Sequence, residues 1–161
     1  MSTPSCHLFL LPPPPPSSST TWAPPPLGWI KINVDAASSE YRVSMGLIAR
    51  NHLGEVIRAW GRCRPLCFPL QAEAAALQWA VELASREQWH QVIFEGDANS
   101  CFDVLSLSGP SPDWSISTYI SNILSLSSAF PSVRFCWVRR LCNSAAHAAA
   151  KFSLSTHQSF F

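Results

Sequence analysis

The alternation of apolar and polar positions predicts three consecutive β-strands after the proline-rich beginning of the chain. Apolar side chains recur through the segments Trp29–Asp35, Tyr41–Arg50 and Glu55–Gly61. The first of these segments places Asp35 at the C-terminal end of its strand. Gly54 ends the turn Asn51–Gly54 between the second and third strands, where a positive φ is wanted. We therefore expect an antiparallel three-strand meander.

Helical periodicity begins after the third strand and then alternates with further strands. Gln71–Ser85 is rich in alanine, has apolar residues at helical spacing, and can take Pro69 into its first turn. The remaining predicted elements are a strand over Val92–Phe94 that ends in Glu95, Gly96 and Asp97, helices over Ala98–Leu107 and Ser115–Ala129 separated by Gly109–Pro112, a strand over Val133–Val138, and a helix over Asn143–Leu154 capped by Asn143. The order β-β-β-α-β-α-α-β-α predicts an α/β fold, a mixed five-stranded sheet with helices on both faces.

The composition changes sharply near residue 28, and this predicts one domain with a separate lead-in. The chain has 161 residues, of which 47% are hydrophobic, which suits a single packed domain. Residues 1–28 are rich in proline and serine and should be extended or disordered. They could be a ligand for SH3 or WW domains, although a linker is favoured. Residues 29–155 should form the domain and residues 156–161 a short tail.

Charge and cysteine content limit the classes of function. The net charge of +1 excludes a protein that holds nucleic acid by bulk electrostatics, so any such binding must use local contacts. The six cysteines include no CxxC pair, which favours reduced, mostly buried thiols over a structural zinc. We find neither a secretory signal nor an apolar stretch of the ~20 residues that a membrane span needs. A cytoplasmic or nuclear protein without a membrane partner is expected.

Three acidic residues lie at positions that are typical of active sites in α/β sheets. Asp35 and Asp97 each end a predicted strand, and active sites of α/β sheets lie at the carboxyl ends of strands. Glu73 lies in the first turn of the predicted first helix. Taken singly, the aspartates could be turn formers or caps, and Glu73 could complement the helix dipole. Only their combination suggests a site.

This succession of elements and carboxylates resembles the ribonuclease H fold. It is most similar to the RNase H-like domains of plants, found alone or at the C-termini of non-LTR retroelement reverse transcriptases. The resemblance covers nearly everything after Trp22. The residues that carry it are Trp22, Pro24–Pro26, Gly28–Asp35, Gly46–Arg50, Ala72–Ala74, Glu95–Asp97, Val138–Arg140, Asn143, Ala146–His147 and Ala150–Lys151.

The resemblance implies a two-metal hydrolase that cleaves the RNA strand of RNA–DNA hybrids and leaves 5′-phosphate and 3′-hydroxyl ends. By the family pattern, Asp35 would bridge two Mg²⁺ (or Mn²⁺) ions, and Glu73 and Asp97 would share one of them. The fourth family position, usually Asp, is His147 here, and imidazole suits Mn²⁺ better than Mg²⁺. Catalysis and metal binding are therefore expected from Asp35, Glu73, Asp97 and His147.

Contacts to nucleic acid are expected from Asn99, Arg139, Arg140 and Asn143, although the arginines could equally be solvated surface charges. The asparagines that grip substrate ahead of the helical glutamate in bacterial enzymes are replaced by Pro69 and Leu70. The basic handle and the catalytic-loop histidine of those enzymes have no counterpart either. These departures reduce the expected grip on substrate.

The sequence leaves more than one function open. The favoured function is an endoribonuclease acting on RNA–DNA hybrids, derived from a retroelement, with no obligate protein partner. The alternative is a non-catalytic, degenerate RNase H-like module that binds nucleic acid or a partner, suggested by His147 and the near-neutral charge. A third and weaker hypothesis is an interaction protein that works through the proline-rich lead-in.

Overall fold

A computed structural model of the protein describes residues 20–105 and 113–161. Its elements, in chain order, are β1 (Ile30–Ser38), β2 (Arg42–Arg50), β3 (Val56–Pro65), α1 (Pro69–Arg86), β4 (Gln91–Gly96), α2 (Asn99–Leu105), α3 (Ser117–Ser127), β5 (Ser132–Trp137), a 3₁₀ turn (Arg140–Asn143) and α4 (Ser144–Thr156). The predicted break at Gly109–Pro112 lies outside the described residues. No helix within those residues has the length and apolar character to cross a membrane.

The five strands form one mixed sheet in the order β3-β2-β1-β4-β5. β2 pairs antiparallel with both β1 and β3, whereas β4 pairs parallel with β1 and β5. The predicted meander and the mixed five-stranded sheet are thereby confirmed. Gly54 has a φ of 79°, as the turn before β3 requires.

β1 is longer than the apolar pattern predicted, and this moves Asp35 from the strand end into its interior. Ala36, Ala37 and Ser38 continue the ladder by pairing with Met45, Ser44 and Val43 of β2. The prediction failed because the neighbouring strand supplies hydrogen-bond partners for residues that show no apolar alternation. Asp35 still lies just beyond the carboxyl end of the parallel pairing between β1 and β4, which stops at Asn33.

Helices α1 and α4 cover opposite faces of the sheet. Met45, Leu47 and Ala49 of β2 join the main core with the apolar side of α1. The alternate residue Gly46 lies against α4, where a Cβ atom would collide with the backbone of Ala150. Glycine is required there because the helix approaches the strand too closely for any side chain. This contact fixes α4 against β1 and β2, next to Asp35.

The segments outside 29–155 that the structure describes also contact the domain. In the lead-in, Pro25 is buried and the Ala23 carbonyl accepts a hydrogen bond of 2.7 Å from Lys31 Nζ. In the tail, Phe160 exchanges two backbone hydrogen bonds of 2.9 Å with Gly61 on the edge strand β3. The packed part of the chain therefore extends beyond residues 29–155 at both ends.

Candidate active site

Asp35 and Asp97 lie on neighbouring parallel elements, and α1 brings Glu73 to them. Asp97 directly follows β4, and Asp35 is 3% exposed on β1. The Glu73 carboxyl lies close enough to the Asp35 carboxyl and to the Ala36 backbone N–H for both to affect its pKa. α1 begins at Pro69, so Glu73 lies beyond the first turn, in which it was predicted. Its position is therefore poorly explained by the helix dipole, which acts mainly on the first turn.

Burial and the neighbouring negative charges raise the pKa values of Asp35 and Glu73. Burial raises the pKa of Glu73 to about 9, and the negative charges of Asp35 and Asp97 add to this shift. Burial also raises the pKa of Asp35, although its hydrogen bond to His147 opposes the shift. The cluster thus carries more negative charge than this partly buried pocket stabilises, and it holds a proton at neutral pH. Such a cluster attracts cations.

His147 and Arg140 lie beside the carboxylates. His147 Nδ1 lies 2.7 Å from Asp35 Oδ2, and the Arg140 guanidinium is 3.2 Å from the same imidazole nitrogen. Arg140 Nη1 is also 3.8 Å from Asp97 Oδ2. Ala146 and Ala150 of the same helix are fully buried, so packing of α4 directs His147 towards the carboxylates. The residue predicted for the fourth position therefore contacts Asp35.

Asn143 does not cap α4 as predicted. It occupies the N-cap position, but its side chain makes no capping hydrogen bond. Its amide instead donates to the Val34 carbonyl over 2.8 Å and to Asp97 Oδ1 over 3.2 Å. The capping prediction was wrong because these buried acceptors compete successfully for the amide. Asn143 was also expected to contact nucleic acid. Its side chain is only 1% exposed, and its amide is hydrogen-bonded within the protein.

The remaining predicted contacts lie on the surface near this cluster. Asn99 is exposed as the first residue of α2, and Arg139 is exposed just before the 3₁₀ turn. Within residues 20–105 and 113–161, neither forms a hydrogen bond or ion pair with the carboxylates. Arg140 does so, as described above. The structure therefore brings together Asp35, Glu73, Asp97, His147, Arg140 and Asn143, and leaves Asn99 and Arg139 at the rim.

Two features of the site were not predicted from the sequence. Trp137 donates its indole N–H to the Asp97 backbone carbonyl over 3.2 Å and is 38% exposed. Asn33, two residues before Asp35, is fully buried and hydrogen-bonds to Asn143. The period of two in a strand places Asn33 and Asp35 on one face, which was the available signal.

The chemistry of these donors fits a hard divalent cation, because carboxylate oxygens are the ligands that Mg²⁺ and Mn²⁺ prefer. In the described part of the chain, however, no group of three or more His, Cys, Asp and Glu side chains is positioned to hold a metal ion. His147 contacts one oxygen of Asp35, and Arg140 pairs with one oxygen of Asp97. Metal binding would therefore require these side chains to move.

The protonation of Glu73 predicts how stability depends on pH without metal. Its folded pKa of about 9 exceeds the ordinary 4.5, so the folded state keeps a proton that the unfolded chain releases. The free energy of unfolding should therefore fall as the pH rises from about 5 to about 9, by up to ~1.4 kcal/mol per pH unit. Urea denaturation in EDTA at several pH values would measure this slope.

Substitution of Glu73 provides the control for this dependence. Glu73→Gln should flatten the slope, whereas Glu82→Gln, ~13 Å further along α1, should retain it. An unchanged slope in Glu73→Gln would show that another group carries the dependence.

The order of the five strands and the helices on both faces of the sheet define an RNase H-like fold. It is similar to the crystal structure of RNase H1 from the halophilic archaeon Halobacterium salinarum NRC-1, with a TM-score of 0.74 and 21% identity over 80% of this chain and 98% of that chain. It is also similar to LC11-RNase H1 in complex with an RNA/DNA hybrid, with a TM-score of 0.72 and 14% identity over 80% of this chain and 98% of that one. These likenesses establish the fold.

A family model described as reverse transcriptase-like matches residues 33–153. Because the match spans well over half of the 161 residues, the chain belongs to the reverse transcriptase-like family. A structure of a foamy viral protease-reverse transcriptase in complex with an RNA/DNA hybrid is similar over 77% of this chain and 20% of that chain, with a TM-score of 0.56 and 14% identity. A search of curated proteins finds no match.

Proposed function

We propose that the protein is a metal-dependent endoribonuclease that cleaves the RNA strand of RNA–DNA hybrids. The observation that carries this proposal is the convergence of Asp35, Glu73 and Asp97 at one edge of an RNase H-like sheet. Burial, together with the negative charges of Asp35 and Asp97, raises the pKa of Glu73 to about 9, and a resident cation would favour the ionised carboxylate. Two of the similar structures contain RNA/DNA hybrids, which supports the same class of substrate.

Asp35, Glu73, Asp97 and His147 are the residues that would hold two Mg²⁺ or Mn²⁺ ions. When bound, such ions activate the attacking water and stabilise the leaving oxygen of the phosphodiester. Asn143 and Arg140 contact Asp97 and so orient its carboxylate. The imidazole of His147 suits Mn²⁺ better than Mg²⁺. The enzyme is therefore a hydrolase whose metal preference is set by the residue at position 147.

Binding of the substrate would use local contacts around the site, since the net charge is only +1. Arg139 and Arg140 are exposed and offer donors to phosphate oxygens. Asn99 lies at the rim, where its amide could contact the hybrid. Discrimination of RNA from DNA would come from contacts to 2′-hydroxyls.

Divalent metal should stabilise the fold if the site is functional. A ligand that binds only the folded state raises its stability, by ~2.7 kcal/mol at a free concentration of one hundred times Kd. We expect millimolar Mn²⁺, and to a smaller extent Mg²⁺, to raise the melting temperature of the full chain in differential scanning calorimetry. Asp35→Asn should abolish most of this increase. A melt that does not respond to either ion would contradict a working metal site.

A second candidate function is a non-catalytic module that binds nucleic acid. The specific observation in its favour is that His147 contacts Oδ2 of Asp35 and Arg140 pairs with Oδ2 of Asp97. In this case the two side chains would stay beside the carboxylates in place of a metal ion. The protein would then bind nucleic acid without hydrolysing it.

A cleavage assay separates the two functions. The full chain would be incubated with an RNA–DNA hybrid whose RNA strand is labelled, in Mg²⁺ and separately in Mn²⁺. The proposal predicts that the RNA strand of the hybrid is cut, with 5′-phosphate ends, and that single-stranded RNA is not. Retention of the hybrid in a gel-shift assay without cleavage under either metal would favour the non-catalytic module.

A further inference from the structure

Residues Trp22–Gly28, which we call the N-terminal strap, lie over a buried polar network on the sheet. The Trp22 indole ring stacks on the Arg50 guanidinium, with 3.7 Å between the Arg50 Cζ and the ring centroid. The indole N–H donates to Asn33 Oδ1 over 3.0 Å. The strap is therefore joined to β1 by a directional bond as well as by packing.

Asn33 uses the full hydrogen-bonding capacity of its side chain. Its Oδ1 accepts from Trp22 and from Arg50 Nη2, each over 3.0 Å. Its Nδ2 donates to Glu95 Oε2 and to Asn143 Oδ1, each over 3.1 Å. An amide has two donor hydrogens and two acceptor lone pairs, so all four are satisfied. Two neighbouring donors face Oδ1 and two neighbouring acceptors face Nδ2. An amide flipped by 180° would place donor against donor, so only one orientation is allowed.

The orientation of Asn33 determines that of Asn143. Because Asn143 Oδ1 accepts from Asn33, its Nδ2 must point the other way, towards the Val34 carbonyl and Asp97 Oδ1. Both amides are buried, with 0% and 1% of their surface exposed, so water cannot replace a lost partner easily. A chain of hydrogen bonds thus runs from the strap to a carboxylate of the site.

A second connection reinforces this chain. Lys31 Nζ donates to the Ala23 carbonyl of the strap over 2.7 Å and pairs with Glu95 Oε1 over 2.8 Å. Glu95 in turn accepts from Asn33. The strap therefore acts on both ends of the Asn33 amide. Trp22 donates to its oxygen, and Ala23 is connected through Lys31 and Glu95 to its nitrogen.

We propose that Trp22, Asn33 and Asn143 form a positioning relay through which the N-terminal strap orients Asp97. The relay residues touch neither substrate nor reacting atoms in this assignment, and act through the Asp97 carboxylate. The catalytic consequence rests on the proposed function, whereas the relay itself can be tested without cleavage. Loss of a group that orients a metal-binding carboxylate typically lowers activity about 10-fold to 100-fold.

The test compares two tryptophans of the same region. Trp22→Phe retains an aromatic ring over Arg50 but removes the indole donor to Asn33. Trp29→Phe is the matched control, because Trp29 also stacks on an arginine, Arg134, at 4.6 Å, and lies outside the relay. We expect Trp22→Phe to lower kcat on the hybrid about 10-fold with KM within about twofold, and Trp29→Phe to change neither.

A readout independent of cleavage accompanies the kinetics. In ¹H–¹⁵N spectra of the full chain, the side-chain amide signals of Asn143 should shift in Trp22→Phe and in Asn33→Asp, and stay in place in Trp29→Phe. Unchanged Asn143 signals in Trp22→Phe would overturn the relay. Equal losses of kcat and melting temperature in both tryptophan variants would also overturn it, in favour of a purely structural strap. If the wild-type chain cleaves no hybrid but the Asn143 signals shift as expected, the relay stands and the proposed function fails.

Discussion

Asp97→Asn is expected to abolish cleavage of the hybrid under Mg²⁺ and under Mn²⁺. The substitution keeps the shape of the side chain and an oxygen that can accept from Asn143, but removes the negative charge that a divalent ion requires. Loss of ~4 kcal/mol of transition-state stabilisation would reduce the rate about 1000-fold. Single-turnover cleavage of a labelled hybrid would measure the change.

A carboxylate far from the site provides the matched control. Glu40 is exposed in the turn between β1 and β2, so Glu40→Gln removes the same charge without touching the cluster. It should leave the rate unchanged. Circular dichroism should show that both variants are folded. Equal rates in the wild type and in Asp97→Asn would exclude Asp97 from the chemistry and would point to a contaminating nuclease.

His147→Asp is expected to raise the Mg²⁺-dependent rate about 10-fold, which corresponds to ~1.4 kcal/mol of transition-state stabilisation. The change replaces an imidazole, 2.7 Å from the Asp35 carboxylate, by an oxygen donor that Mg²⁺ accepts more readily. The rate with Mn²⁺ should change less, so the ratio of the two rates should shift towards Mg²⁺. Parallel assays with the two ions would measure this ratio.

The same substitution should destabilise the metal-free protein. It removes a partner of Asp35 and adds a fourth acidic group to a cluster in which Glu73 already has a raised pKa. The melting temperature of His147→Asp in EDTA should therefore fall and recover with Mg²⁺. His52→Asp, in the exposed turn before β3, controls for the added charge. If His147→Asp leaves the ratio of Mg²⁺ to Mn²⁺ rates unchanged, His147 is not a ligand.

The element order could be predicted from the sequence because hydrophobic periodicity and turn residues act locally. Gly54 and Pro69 illustrate this, since each fixes a backbone conformation at its own position. The extension of β1 to Ser38 could not be predicted in the same way. It depends on pairing with β2, which the residues Ala36–Ser38 do not signal by their own pattern.

The acidic residues of the candidate site could be selected from the sequence because of their places in the predicted strands and helix. The residues that hydrogen-bond to these carboxylates could not be predicted from the sequence. Asn143 was predicted to cap a helix, since an asparagine before a helical run usually does so. Its partners Val34 and Asp97 lie far away in the chain and meet it only in the folded protein. The period of two places Asn33 on the same strand face as Asp35, but nothing near it in the sequence shows that it is buried or which residues it contacts.

We propose that Asp35, Glu73, Asp97 and His147 form one divalent-metal site. An anomalous difference map from crystals of the full chain soaked in Mn²⁺ would test it most directly. We expect Mn²⁺ within bonding distance of the Asp35 carboxylate, with Glu73, Asp97 and His147 among the remaining ligands. The absence of Mn²⁺ at a saturating concentration, with His147 still bonded to Asp35 and Arg140 still beside Asp97, would contradict the claim.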